Sequence, residues 1–377
     1  MDSVRYGVIG IKGVGRIHID LAREQPNVEL TALADLDEAA VKAQSQELGV
    51  RAFTDYREML DAGIVDAVSI GTPHHLHAII GLDCLKAGVH VFTEKPLANR
   101  VSDADAMIET AKARDLKLCV GHQYRTYRTH QTMKHLIDTG AIGNIMRVLW
   151  TWIAFRPESY YARDIWRQTW RHAGGGVLMN QTSHDLDLIC WLIGKPVQVS
   201  AIIGNQLHQI EVEDMVCANV LFENGAFGSI QLTINQPIGY SIRQIAGDKG
   251  TLMIPDVQSL AGEGEDHLLL GTYRDSLTKM VNQTDGIADQ PDISWQPVES
   301  RPELGGHKGV MDSFIDAILN GGEPLVSGVS ARPAVELINA IVLSAMRKKT
   351  VDVPVDREEY DELFEALSNG SLQTPRF

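Results

Sequence analysis

The sequence predicts an α/β fold in two parts, a helix-covered parallel sheet followed by a more β-rich region. Three observations predict it. The first ~120 residues alternate short apolar strand-like runs with helix-like stretches, the pattern of a parallel sheet with right-handed crossovers. The stretch GVIGIKGVGRIH, residues 7–18, places a glycine turn between the first strand and the first helix. After Gly121 the alternation stops, and hairpin signals dominate from about Val197 to Ile254.

The first part reads as strands at 6–9, 30–34, 67–70, 90–92 and 116–120, with helices at 39–48, 56–61, 77–87 and 103–114. Gly63, Gly88 and Gly121 mark element ends. In the second part a helix is expected at 132–139, ended by Gly140, then a long strand at 145–154. The glycines of GGGVLMNQTSHDLDLICWLIG suit a turn into one buried helix over 178–192. Turns at Glu223-Asn224-Gly225 and Gly247-Asp248-Lys249-Gly250 separate strands near 215–222, 228–234 and 251–254. Residues 258–304 are polar and read as long loops, and two late helices follow at 309–320 and 331–348. The domains are drawn at 1–122 and 123–377, with the late helices able to pack back on the first; the length agrees with two domains at roughly 150 residues each.

Bulk composition narrows the class. Apolar residues make up 44% and charged residues 22%, as in a globular protein. Lys and Arg number 34 against 49 Asp and Glu, a net charge of −15 that disfavours nucleic acid and anionic membranes as partners. Cys84, Cys119, Cys190 and Cys217 form no C-x-x-C pair and read as reduced thiols. The N-terminus has no basic segment and no long apolar core, so no signal peptide is expected. No run approaches the roughly 18 apolar residues of a membrane span, and the expected setting is the cytoplasm.

The glycine turn is a dinucleotide signal only in context. Gly10, Gly13 and Gly15 follow a strand and open a helix, and Asp35 ends the second strand 20 residues after Gly15. A carboxylate there would accept the adenosine ribose hydroxyls and repel a 2′-phosphate, which favours NAD over NADP. Lys12 stands where a G-x-G-x-x-G fingerprint has its middle glycine. Two readings stay open: Lys12 brings a cation to the phosphates while Gly13 takes over the close approach, or Lys12 points to solvent.

Two further stretches join this turn: Thr93-Glu94-Lys95-Pro96 after the strand VHVF, and the GGGVLMNQTSHDLDLICWLIG segment, residues 174–194. With Gly71-Thr72-Pro73, VGHQYR at 120–125 and SGVSARPAVELINAIVLSAMRKK near the end, the chain resembles the glucose–fructose oxidoreductase/inositol dehydrogenase/rhizopine-catabolism (Gfo/Idh/MocA) family over nearly its whole length. The resemblance implies an N-terminal Rossmann dinucleotide-binding domain and a C-terminal α/β domain with a large, open, mostly antiparallel sheet. It implies assembly into homodimers or homotetramers through that sheet. The implied activity is oxidation or reduction of a secondary alcohol or ketone on a sugar, polyol or related ring with NAD(P). The implied cofactor set is Gly10, Lys12, Gly13, Val14, Gly15, Asp35, Thr72, Pro73, His77, Glu94 and Lys95, with a cis Lys95–Pro96 bond.

The residue chemistry agrees with such a reaction. Hydride transfer leaves a hydroxyl proton to remove, and His184, with an ordinary pKa of about 6.5, suits a base. Asn180 lies four residues earlier, so on one helix both share a face. Many family members carry aspartate at that position; asparagine cannot move a proton, which leaves His184 as proton carrier and Asn180 as positioner. Asp187 either orients the imidazole or makes a structural contact. Lys95 corresponds to the family's Glu-Lys-Pro lysine, whose ammonium would stabilise alkoxide character on the reacting oxygen. No metal is expected: His74, His75 and His77 lack accompanying ligands at the right spacing and read as a polar loop.

The candidate substrate set is His122, Tyr124, Arg156, Trp166, Trp170, Asn180 and His184. Trp150, Trp152, Trp166 and Trp170 concentrate four of the six tryptophans. They suit either the C–H faces of a sugar or a core or subunit interface. Arg156, Arg163, Arg167 and Arg171 outnumber Glu158 and Asp164 there, which fits an acidic substrate or equally a solvated face or inter-subunit ion pairs. The expected function is NAD-dependent oxidation of a ring secondary alcohol. A dihydrodiol dehydrogenase and an NAD-dependent glycosidase working by transient oxidation use the same residues, and a non-catalytic sugar sensor is the reading outside enzymology.

Overall fold

The structure, a computed structural model, describes residues 3–237, 241–256, 268–282 and 292–377. The chain splits into two compact units. One takes in Met1–Thr126, His172–Gly174 and Leu304–Val335; the other takes in Tyr127–Arg171, Gly175–Glu303 and Glu336–Phe377. The helix His307–Asn320 belongs to the first unit, and the helix Gly328–Arg347 has residues in both.

In the first unit β1 (Val4–Ile9), β2 (Val28–Ala34), β3 (Arg51–Phe53), β4 (Ala67–Ile70), β5 (His90–Thr93) and β6 (Leu118–Val120) pair in the order β3-β2-β1-β4-β5-β6. All these pairings are parallel. This is the order of a doubly wound dinucleotide-binding sheet, whose ligand crevice lies outside the strands' carboxyl ends where the order reverses. Every residue of β4 is buried, as in a sheet covered on both faces. The first crossover helix, Val14–Glu24, buries Gly15, His18, Ile19 and Ala22, the i, i+3, i+4, i+7 face of an amphipathic helix. The second, Glu38–Leu48, is capped by Asp37, which accepts the Ala40 N–H, and ends at left-handed Gly49.

Among the described residues the second unit holds a nine-stranded mixed sheet. Its strands are β7 (Ile145–Ile153), β8 (Pro196–Gly204), β9 (Met215–Phe222), β10 (Phe227–Thr233), β11 (Ser241–Gly247), β12 (Gly250–Asp256), β13 (Leu269–Tyr273), β14 (Ile293–Pro297) and β15 (Val351–Asp352). They run in the order β14-β13-β12-β11-β7-β10-β9-β8-β15. Only the central β7–β10 pairing is parallel. Strands alternate buried and exposed residues, as in a sheet with one face on a core.

Two expectations are corrected. Residues 258–304 are not simply loops: β13, β14 and the short helix Leu277–Val281 fall within the stretch, while 257–267 and 283–291 lie outside the described residues. The polar composition hid these strands because β14 is exposed along its length and carries no buried-face alternation. The late chain also holds an unexpected helix, Arg357–Ser368. Among the described residues one helix, Gly328–Arg347, is long and apolar enough to cross a membrane; 67% of its apolar window is buried within the protein, as in a core helix.

Candidate active site

The glycine turn is built by close packing. A Cβ on Gly15 would collide with the Gly10 carbonyl oxygen, and one on Gly71 would stand 3.1 Å from the Gly15 Cα. The end of β4 therefore presses on the turn: Gly15 admits no side chain, and Gly71 leaves little room for one. A Cβ on Gly13 (φ 55°) would meet nothing within 4 Å, so that side of the turn is open. The helix Val14–Glu24 has no side-chain cap and no acid in its first turn. Its positive end is thus left for an anion. Asp35 accepts the Ile11 N–H at 3.0 Å through one oxygen and the Asp37 N–H at 2.9 Å through the other. Each oxygen keeps a lone pair for a ribose hydroxyl. Next to it Leu36 is 88% exposed, an apolar surface the sequence reading passed over. An open glycine face, an acid-free helix start and a backbone-anchored carboxylate fit a dinucleotide. Lys12 does not bend over the turn: its Nζ lies 2.6 Å from Asp37 Oδ2, with the side chain 62% exposed.

Lys95 follows β5 at the sheet's carboxyl edge, and its bond to Pro96 is cis. Glu94, placed in the cofactor set from the resemblance, is instead buried. Its Oε1 faces His18 Nε2 at 2.9 Å and its Oε2 accepts the Lys95 N–H at 3.2 Å. His307 Nε2 stands 3.6 Å from the same Oε1. Burial acts to raise the Glu94 pKa, but the His18 hydrogen bond and the charges of His18, His307 and Lys95 outweigh it and hold it at about 2. This carboxylate ties the lysine turn to the first crossover helix.

His77 is corrected in the same way. It is fully buried, with Nδ1 2.7 Å from the Pro96 carbonyl and Nε2 2.9 Å from the Thr72 carbonyl, so neither ring nitrogen is left for a cofactor. It ties the Thr72-Pro73 turn to the Lys95-Pro96 turn. His74 is also buried, against the Ala173 carbonyl at 2.9 Å, and stands in a short helical turn at His74–Leu76. Among the described residues no group of three or more His, Cys, Asp or Glu could hold a metal ion. His122 is buried and Tyr124 half-buried, in the turn after β6.

In the second unit the expected single helix over 178–192 is two pieces, a π-turn at Val177–Gln181 and an α-helix at Ser183–Ile193. Asn180 and His184 therefore do not share one α-helical face. The break has a local cause. Gly176 lies so close to the Glu213 carbonyl that a Cβ would collide with it. The buried Glu213 carboxylate accepts the Gly176 and Leu178 N–H groups at 2.9 Å. Thr182 Oγ1 then donates to the Val177 carbonyl at 2.7 Å and closes the turn. Burial pushes the Glu213 pKa up to about 7 despite those N–H donors. His184 stands in the first turn of the following helix and is 7% exposed. Asp185, the next residue, accepts Trp150 Nε1 at 2.9 Å and pairs with buried Arg243 at 3.2 Å, which binds that helix to β7 and β11.

Trp170 leaves the substrate set. It is 1% exposed, with its Nε1 donating to the Glu211 carbonyl and to Thr374 Oγ1, so it is a core residue. Arg156 and Trp166 remain half-buried, and a group the sequence reading did not assemble surrounds them. Arg167 donates to Tyr160 Oη at 2.9 Å and to Asn180 Oδ1 at 3.3 Å, and Gln181 donates to Tyr160 Oη at 2.8 Å. Its only sequence signal was the arginine surplus of the stretch.

A doubly wound sheet with a dinucleotide cradle, and a lysine turn at its carboxyl edge, define a nucleotide-dependent oxidoreductase. Comparison with known proteins makes this specific. Residues 4–122 match the oxidoreductase family's NAD-binding Rossmann domain, and residues 130–253 match the GFO/IDH/MocA C-terminal domain. The two matches together span more than half of the chain, which belongs to the Gfo/Idh/MocA oxidoreductase family, and its cofactor is NAD. It is 28% identical to the myo-inositol 2-dehydrogenase of Thermotoga maritima, over 92% of this chain and 98% of that protein. It is 25% identical to the levoglucosan dehydrogenase of Pseudarthrobacter phenanthrenivorans, over 94% of this chain and 99% of that one. Among solved structures, the WlbA dehydrogenase of Bordetella pertussis, in complex with NADH and UDP-GlcNAcA, superposes with a TM-score of 0.78 at 28% identity, covering 94% of this chain and 100% of that chain.

Proposed function

We propose that the protein oxidises a secondary alcohol on a sugar, polyol or sugar-derived ring, with NAD as hydride acceptor. The observation that carries the reading is Lys95, held after β5 by Glu94 in the same unit as the open glycine turn. Bound NAD supplies the site that takes the hydride. His184 takes the hydroxyl proton on its imidazole, and the Lys95 ammonium donates to the reacting oxygen and stabilises its developing negative charge. Asn180 orients the substrate ring, and its amide, unlike a carboxyl group, neither gives up nor takes a proton in the working pH range.

Lys95→Ala and His184→Ala test the assignment. Each lowers kcat by about 10²-fold or more, while NAD titration by fluorescence still shows binding. NADH absorbance on a panel of sugars and polyols is the readout. Near-wild-type turnover by His184→Ala would falsify its role as base.

The open face of the second unit's sheet supports self-association. Register places Ile202 of β8, Leu221 of β9 and Phe227 of β10 on one side, and Ile202 and Phe227 are each 66% exposed. A homodimer or homotetramer through this face, in the cytoplasm, is the assembly proposed, and sedimentation with Phe227→Glu tests it.

A further inference from the structure

We propose that Arg156 and Arg167, gathered around Tyr160 beside Asn180 and Gln181, form a subsite for a carboxylate on the substrate ring. The inference rests on reading residues 180–184 as the substrate face, and it narrows the substrate class to sugar acids, such as uronates and ring carboxylates.

The group is continuous within the second unit. Arg156 donates from Nε to Gln181 Oε1 at 3.0 Å and from Nη1 to the Phe155 carbonyl at 3.0 Å, and its guanidinium lies 5.7 Å from the Tyr160 ring centre. Arg167 lies 5.2 Å from the same ring and 4.6 Å from the Trp166 ring. Its Nη1 reaches both Tyr160 Oη and Asn180 Oδ1. Two cations, a phenol and the Gln181 amide thus lead directly to Asn180, the residue assigned to orient the substrate.

Charge separates this group from ordinary structural arginines. Arg243 and Arg357 of the same unit each pair with a buried carboxylate, Asp185 and Glu336. Among the described residues Arg156 bonds to neutral oxygens, although it is half-buried. Among the described residues Arg167 has one acidic partner, Asp164, at 3.1 Å. Glu158 keeps its charge, but its Oε1 accepts the Gln209 N–H, and among the described residues it makes no ion pair with Arg156. Asp164 pairs with one guanidinium and leaves the other with no carboxylate in direct contact among the described residues, beside the Tyr160 ring. That matches a single carboxylate better than a phosphate, which carries about two negative charges. The planar guanidinium fork is also matched to a carboxylate in geometry.

The experiment measures kcat/KM by NADH formation for D-glucuronate, D-galacturonate and D-mannuronate, each against its neutral hexose and the hexose 6-phosphate. The wild-type protein is expected to favour a uronate over its hexose by about tenfold or more, with a uronate KM that rises with added KCl. Arg156→Gln is expected to lower the uronate-to-hexose ratio by about 10- to 100-fold, and Arg156→Lys to recover only part of it. Equal or better use of neutral hexoses, preference for a 6-phosphate, or an unchanged ratio in Arg156→Gln overturns the subsite and leaves the dehydrogenase reading standing. If none of these compounds yields NADH, the dehydrogenase reading is judged separately on the wider sugar and polyol panel. Calorimetric titration of the three uronates into NAD-loaded protein then decides the subsite: binding weakened by Arg156→Gln supports it, and no binding or unchanged binding overturns it.

Discussion

Asp185→Asn is a sharp test of how the His184 helix is held. Asp185 is 1% exposed, and one of its oxygens receives Trp150 Nε1 at 2.9 Å and Arg243 Nη2 at 3.2 Å. Asparagine keeps the shape and can still accept from Trp150. It removes the countercharge of Arg243, which is 6% exposed and lies over the Trp150 ring at 5.6 Å. Breaking one side of a buried ion pair costs about 3–5 kcal/mol, because the remaining charge stays desolvated. With a urea m-value of about 2–3 kcal/mol/M, the midpoint should fall by about 1–2 M. All six tryptophans lie in the second unit, so tryptophan fluorescence reports the transition of that unit. Adding Arg243→Met should restore most of the loss, since it removes the stranded charge. kcat/KM should fall in Asp185→Asn more than NAD affinity does, because Asp185 adjoins His184 and the cradle lies in the other unit. A cost below about 1 kcal/mol, or a double variant as unstable as the single one, would refute the reasoning.

Glu213 makes stability depend on pH. Its folded pKa, about 7, stands above the ordinary 4.5. The stability it contributes is therefore complete below about pH 4.5 and is lost as pH rises through 7, by about 3 kcal/mol in all. Urea titrations at pH 5 and pH 8 should show most of that loss in the wild type relative to Glu213→Gln; parallel curves would contradict it. The glycine turn yields a paired contrast. Gly15→Ala drives a Cβ into the Gly10 carbonyl and should weaken NAD binding by about 10- to 100-fold. Lys12→Ala removes only an exposed ion pair with Asp37 and should change NAD affinity by less than about fivefold. A large loss for Lys12→Ala would place its cation on the phosphates.

The first unit was legible because its signals are local. Strand, glycine turn, helix and acid follow one another within residues 4–35, each set by periodicity or by backbone space. Lys95 and His184 stood out for their neighbours in sequence. The rest depended on partners far apart along the chain. His18 and Glu94 are 76 positions apart, and Glu213 reaches back 37 positions to Gly176. No periodicity announces such pairs. The π-turn was hidden for the same reason: residues 178–192 have the apolar content of one helix, and the break comes from Glu213 and from the Gly176 approach to its carbonyl.

By itself the sequence determined the order of elements, the dinucleotide cradle, the preference for NAD set by Asp35, and the identity of the proposed lysine and histidine. Those properties reside in backbone geometry and side-chain chemistry that short segments carry with them. Only the tertiary structure decided that Glu94 and His77 brace turns, that Trp170 is core, that Lys12 pairs with Asp37, and that Arg167 joins Asn180. Burial and hydrogen bonding assign those roles, and both depend on which distant residue fills the space beside each side chain.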